Sequence, residues 1–172
     1  MKYFLKRSTA YLLDCLICYS FVMLIFQWAL LSNFRGMIGL TDEWFEISWN
    51  MQVYVLVTIS LPVWLYFIYF DSKYSSGSFG KRIMKLSVTD SEKEKIGLPK
   101  SFFRTILKLS PWEIAHFGVI FPTPLYFSQN ADIRFATIFG ILLFGIYTTS
   151  IVIDTERRSI YDKLLGTKVI MK

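Results

Sequence analysis

The sequence predicts an all-α membrane protein, a bundle of four transmembrane helices with both termini in the cytoplasm and a small cytoplasmic β element. Three observations carry that expectation. Apolar residues make up 53% of the 172-residue chain and mean hydropathy is +0.42, more than a soluble domain of this size usually shows. They fall in long blocks, of which 135–153 contains no charge, and an uncharged stretch of about 18 residues is a candidate crossing. Aromatic residues reach 18%, and Trp28, Trp44, Trp49, Trp64, Trp112 and Tyr126 stand near the block ends, where interfacial belts form.

Taken in order, the segments are 10–31, 47–70, 111–127 and 135–153, within one domain spanning 1–172. Lys2, Lys6 and Arg7 before the first segment imitate a signal peptide, but Asp14 interrupts the run and no small-x-small cleavage site follows. The segment is therefore expected to stay in the protein. Cys15 and Cys18 form C-x-x-C inside this helix, without the strand-to-helix context of a redox site, and read as small packing residues. The third segment is short and carries Pro122 and Pro124, which also suits a re-entrant element.

Loop charge decides between the two. Three basic residues precede the first segment, nine lie in the loop 71–110 and five in the tail 154–172, together 17 of the 19. The remaining loops hold only Arg35 and Arg134, beside Asp42, Glu43, Glu46 and Asp132. Four crossings place all 17 on one side, which the positive-inside rule makes cytoplasmic; a re-entrant third segment would leave the last five outside. The net charge of +6 and pI near 9.3 then point to anionic lipid of the cytoplasmic leaflet, not to nucleic acid.

In the loop, 82–89 reads as a strand and polar 90–95 as the turn of a short hairpin, and 167–171 after Gly166 reads as a C-terminal strand pairing with it. Such pairing satisfies backbone groups near the membrane.

A carboxylate at the centre of a membrane helix costs about 2.5–3.5 kcal/mol on insertion scales, so Asp14 needs a partner. Arg7 lies seven residues away on the same helix face. Asp71 ends the second segment on the same side, so topology brings Arg7, Asp14 and Asp71 to one leaflet. A register-fixing ion-pair cluster and a proton or ion relay both fit these residues. Ser110-Pro-Trp-Glu113 has the form of a capping box at the start of the third segment, making Glu113 a cap. His116, the single histidine, shares a face with Glu113 and is the first candidate for handling protons. Gly77-Ser-Phe-Gly80-Lys81 lacks phosphate-loop spacing and reads as a tight turn. Lys81, Arg82, Lys85, Arg157 and Arg158 then suit lipid phosphates, and Arg104 and Lys108, four apart ahead of the third helix, extend that belt.

These residues also carry a resemblance. Arg7-x-x-x-Tyr11-x-x-Asp14, Asp71, Ser76-Gly-Ser-Phe-Gly80-Lys81-Arg82 and Arg157-Arg158-Ser-Ile-Tyr-Asp162-Lys-Leu-Leu-Gly166-Thr167-Lys-Val169 together resemble the RDD family of small polytopic membrane proteins. The family is named for an Arg and two Asp, which would be Arg7, Asp14 and Asp71, and Tyr161 stands where a His is more usual. The resemblance implies a multi-pass protein of a bacterial cytoplasmic membrane, suspected of transport, with cation/proton antiport proposed for some members. Four short helices enclose little space, so a transporter would work as an oligomer or with a partner membrane protein. The alternative is a non-transporting accessory, scaffold or immunity-type protein with a structural cluster. No nucleophile elbow, thiol–imidazole pair or metal-ligand spacing is present, so no enzyme activity, cofactor or metal is expected.

Overall fold

The structure, a computed structural model, describes residues 2–129 and 133–172; Asp132 lies outside them. Helix α1 (Lys2–Ser20) continues through π-helical turns (Phe21–Leu31) into α2 (Ser32–Arg35). After α3 (Asp42–Glu46), helix α4 (Ser48–Val55) runs through a second π-helical stretch (Leu56–Ser60) into α5 (Leu61–Asp71). The short α6 (Phe79–Ile83) leads to β1 (Leu86–Asp90), followed by α7 (Leu98–Ile120), α8 (Phe135–Ile153), α9 (Ile160–Leu164) and β2 (Thr167–Met171).

Among the described residues, three helices are long and apolar enough to cross a membrane: Tyr3–Arg35, Ser48–Asp71 and Phe135–Ile153, with mean hydropathies of 2.0, 1.9 and 2.0. Leu12, Leu16, Leu24, Leu65, Ile141 and Val152 are exposed along them, the arrangement expected where lipid tails complete the packing. The third expected segment differs. Helix α7 begins at Leu98, thirteen residues before Pro111, and stops at Ile120. Pro99 in the first turn costs no intrahelical bond, whereas Pro111 sits inside the helix. Pro122 and Pro124 lie beyond its end, and 125–127 form only a 3-10 turn. Ser110 and Glu113 are therefore mid-helix, and Glu113 is not an N-terminal cap.

The chain divides into two units, one of 1–18, 64–109 and 145–172, the other of 19–63 and 110–144. In the first unit β1 pairs antiparallel with β2, from Leu86 opposite Met171 to Asp90 opposite Thr167. Alternation puts Leu86, Val88 and Val169 on the inner face, where they pack with Tyr3, Ala10 and Ile96. The Tyr3 hydroxyl donates to the Val169 carbonyl. The expected hairpin is reduced to a turn: Asp90 Oδ1 accepts from the amides of Glu92 and Glu94, each at 3.0 Å, and one bridge joins Thr89 to Lys95. The strand starts at Leu86 because Arg82 belongs to α6. Helix α6 approaches α1 closely, since a Cβ at Gly80 would fall 2.0 Å from the Ala10 carbonyl oxygen.

In the second unit, α7 and α8 meet through glycines. A Cβ at Gly140 would lie 2.5 Å from the Pro111 carbonyl oxygen, and one at Gly118 2.3 Å from the Thr137 nitrogen.

Candidate functional site

The charged residues buried among those described are four cations, Arg7, Lys81, Arg104 and Lys108, and three carboxylates, Asp14, Asp71 and Asp162. All seven belong to the first unit. Each element delivers its members for a local reason. Arg7 and Asp14 lie two turns apart on α1, Asp71 ends α5, and Arg104 and Lys108 are one turn apart on α7. Asp162 enters at the first turn of α9, where Ser159 caps the helix and accepts from the Asp162 amide; a carboxylate is favoured there by the helix dipole.

Arg7 does not pair with Asp14. Its guanidinium forms an ion pair with Asp162 Oδ2 and donates to the Tyr161 hydroxyl at 3.1 Å and the Arg157 carbonyl at 3.2 Å. Arg104 bridges two acids, with Nε 3.0 Å from Asp162 Oδ1 and Nη1 2.7 Å from Asp71 Oδ2. Lys81 Nζ lies 2.6 Å from Asp71 Oδ1 and also donates to Ser78 Oγ at 3.2 Å. Asp162 further accepts from Ser159 and Thr167, each at 2.9 Å. Burial raises the tendency of Asp162 to hold a proton, but the Arg7 and Arg104 guanidiniums outweigh it and keep the carboxyl well below the usual carboxylate range.

Asp14 is held differently. Its oxygens accept from the Tyr66 hydroxyl at 2.8 Å, the Ser78 hydroxyl at 2.5 Å and the Gly80 amide at 2.7 Å, all neutral donors. Ser78 thus joins Asp14 to Lys81 and closes a continuous series of polar contacts: Arg7, Asp162, Arg104, Asp71, Lys81, Ser78, Asp14. The RDD model matches residues 3–166, nearly the whole chain. The chain belongs to the RDD family. No curated protein and no solved structure matches it. With its apolar helices, this RDD chain is a membrane protein.

Arg7, Asp14 and Asp71 thus share one network without forming one ion pair. Asp162, Lys81 and Arg104 connect them; from sequence, Arg104 falls in the lipid belt and Asp162 only within the C-terminal motif. Lys81 was expected at lipid phosphates; it is instead buried on Asp71. Lys108, also expected in the lipid belt, is buried 3.6 Å from Asp71 Oδ2. Lys85 is exposed. Arg82 is exposed but held by the Gly77 carbonyl at 2.7 Å and Ser75 Oγ at 3.1 Å. Arg157 is exposed over the Tyr3 ring, and Arg158 pairs with Glu156 at 3.2 Å. Tyr161 takes the Arg7 bond and places its ring beside Arg7 and Arg104.

Glu113 and His116 belong to the second unit. Glu113 accepts from Ser60 Oγ at 2.9 Å, while His116 Nδ1 is buried without a hydrogen bond. A polar cluster there was not anticipated from sequence. Gln27 Nε2 donates to Thr58 Oγ1 at 2.6 Å, and Gln27 Oε1 accepts from Arg35 at 2.7 Å and from the Tyr54 hydroxyl. Gln27 and Thr58 both sit in π-helical stretches, a geometry frequent at functional positions. Glutamine within an apolar run was the available signal.

Proposed function

We propose that this RDD protein is a proton-coupled transport protein of the cytoplasmic membrane, crossing it four times with both termini inside. The segment 111–127, made of the end of α7 and the turns after it, supplies the third crossing in this reading, and the charge bias of the loops supports the orientation. One observation carries the proton-handling reading: Asp14, 1% exposed, has only neutral donors, whereas Asp71 and Asp162 are engaged by fixed cations. Protonating Asp162 would strand the Arg7 guanidinium in the interior and take from Arg104 one of its two acids. Protonating Asp14 strands none, because hydroxyls can turn from donors into acceptors. The charge of this acid can therefore change without breaking an ion pair. The cargo belongs to the class of small cations or solutes that exchange against protons, and lipid phosphates bind the exposed Lys85 and Arg157.

Flux in liposomes tests this reading. Asp14→Asn keeps the shape and the donors of the site while removing its carboxylate. The expected result is a folded protein whose cation-driven proton flux falls about tenfold or more and loses its pH dependence, in line with the weight of a positioned acid–base group. Native flux retained in Asp14→Asn, or no flux from native protein for any cation or small solute, overturns it.

A non-transporting scaffold is the second reading, favoured by the saturation of Asp71 and Asp162. It predicts that Asp14→Asn and Asp162→Asn both act only on folded yield and on retention of a co-purifying membrane partner.

A further inference from the structure

The seven buried charges do not balance. Four cations face three carboxylates, and an uncompensated charge in a low-dielectric interior is costly. Three of the cations are fixed by short contacts: Arg7 to Asp162, Arg104 to Asp162 and Asp71, and Lys81 to Asp71. The fourth is not. Lys108 Nζ makes no hydrogen bond, stands 3.6 Å from an Asp71 oxygen that already accepts from Arg104 at 2.7 Å, and lies 3.2 Å from the centre of the Phe67 ring. The Lys108 side chain is 5% exposed.

We propose that Lys108 is the member of the network that exchanges its proton in the folded protein, the ammonium passing a proton to water and becoming a neutral amine. Loss of that proton leaves three cations with three carboxylates, joined in one series of polar contacts. The groups facing Lys108 come from several elements: Asp71 on α5, Lys81 on α6, Arg104 on its own helix, and Asp14, Cys15 and Cys18 on α1. Asp71, Asp14 and the Phe67 ring face favour the ammonium; Lys81 and Arg104 oppose it. Lys108 lies outside the three long apolar helices, and burial, the largest influence, pushes its ammonium down to about 7. An ordinary lysine titrates near ~10.4. Between those values the unfolded chain binds more protons than the folded one, so stability rises with pH across that window.

A role in proton coupling rests on the transport reading, but the titration does not, and the two are measured separately. Full-length protein with 13C-labelled lysine, in lipid nanodiscs, is titrated from acid to alkaline pH by the lysine Cε shifts. One lysine is expected to titrate about three pH units below the ordinary lysine value, and its signal to vanish in Lys108→Arg and Lys108→Met. As a check that needs no assignment, native melting temperature should rise from neutral to alkaline pH relative to Lys108→Met, the neutral variant of similar length. A full set of lysines that all stay charged through alkaline pH overturns the inference, as does a parallel pH dependence of native and Lys108→Met. Titration of Lys108 without any flux in liposomes removes the transport reading and leaves this one standing.

Discussion

In the first unit, buried carboxylates and cations from α1, α5, α6, α7 and α9 grip one another, and Asp162 alone receives two guanidiniums. In the second, Gln27 gathers Thr58, Tyr54 and Arg35 through an amide, hydroxyls and one guanidinium, and Ser60 meets Glu113. Both units bury polar groups among apolar helices. The difference is what happens when one member is lost. A missing neutral group leaves hydrogen bonds unmade, whereas a missing charge leaves its opposite unpaired in a medium that penalises it severely. The first unit should therefore be brittle toward single charge changes and the second forgiving.

The sharpest break is Asp162→Asn. It leaves Arg7 and Arg104 without their shared counter-ion, and breaking a buried pair costs on the order of 3–5 kcal/mol. Thermal unfolding of purified protein in nanodiscs should show the largest fall of any variant considered, far beyond that of Asp14→Asn, whose donors are neutral. Equal losses for both would mean that Asp14 is as tightly ion-paired as Asp162.

Close helix contacts give the next comparison. Gly80→Ala drives a Cβ into the Ala10 carbonyl in the first unit, and Gly140→Ala drives one into the Pro111 carbonyl in the second. Backbone cannot give way as a flexible side chain can, and overpacking costs about 1–3 kcal/mol. Hydrogen exchange should rise in α6 and β1 for the first variant and in α7 and α8 for the second. Spread of either change through the whole chain would show the two units to be one cooperative body.

How much of this was legible in advance depends on whether the signal was local. The last helix carries its own limits, an uncharged run bounded by Arg134 and Asp154, and its expected range 135–153 coincides with α8. The pairing of 167–171 with the loop strand followed from alternation and a preceding glycine. Helix α7 was placed too late because Ser110-Pro111 imitates a helix start; Pro99 just after Leu98 and the four-residue spacing of Lys100, Arg104 and Lys108 were the truer signals. The partner of Arg7 had no local signal at all. Asp162 lies 155 positions away, and only the folding of α9 onto α1 selects it over the nearer Asp14. Lys81 and Lys108 read as surface charges for the same reason: burial of a lysine is decided by the distant acid it meets.

Gln27→Leu probes the forgiving side. The substitution leaves Arg35, Tyr54 and Thr58 without their common partner but strands no ion pair, so about 1–3 kcal/mol is expected, clearly less than for Asp162→Asn. A loss as large as that of Asp162→Asn would erase the contrast between the units.

The smallest effect, and one of opposite sign, is expected at Gly145. This residue lies inside α8 on an exposed face, and a Cβ added there would have no neighbour within 4 Å. Glycine in a helix interior is worse than alanine by up to ~1 kcal/mol because it leaves the unfolded backbone freer. Gly145→Ala should therefore leave melting temperature unchanged or raise it slightly, although Gly140, five positions earlier on the same helix, tolerates no such change. A pronounced loss at Gly145 would mean that its exposed face is covered in the membrane by a second protein chain. Cross-linking from the neighbouring exposed positions Ile141 and Leu142 would then show whether that cover is another copy of this chain.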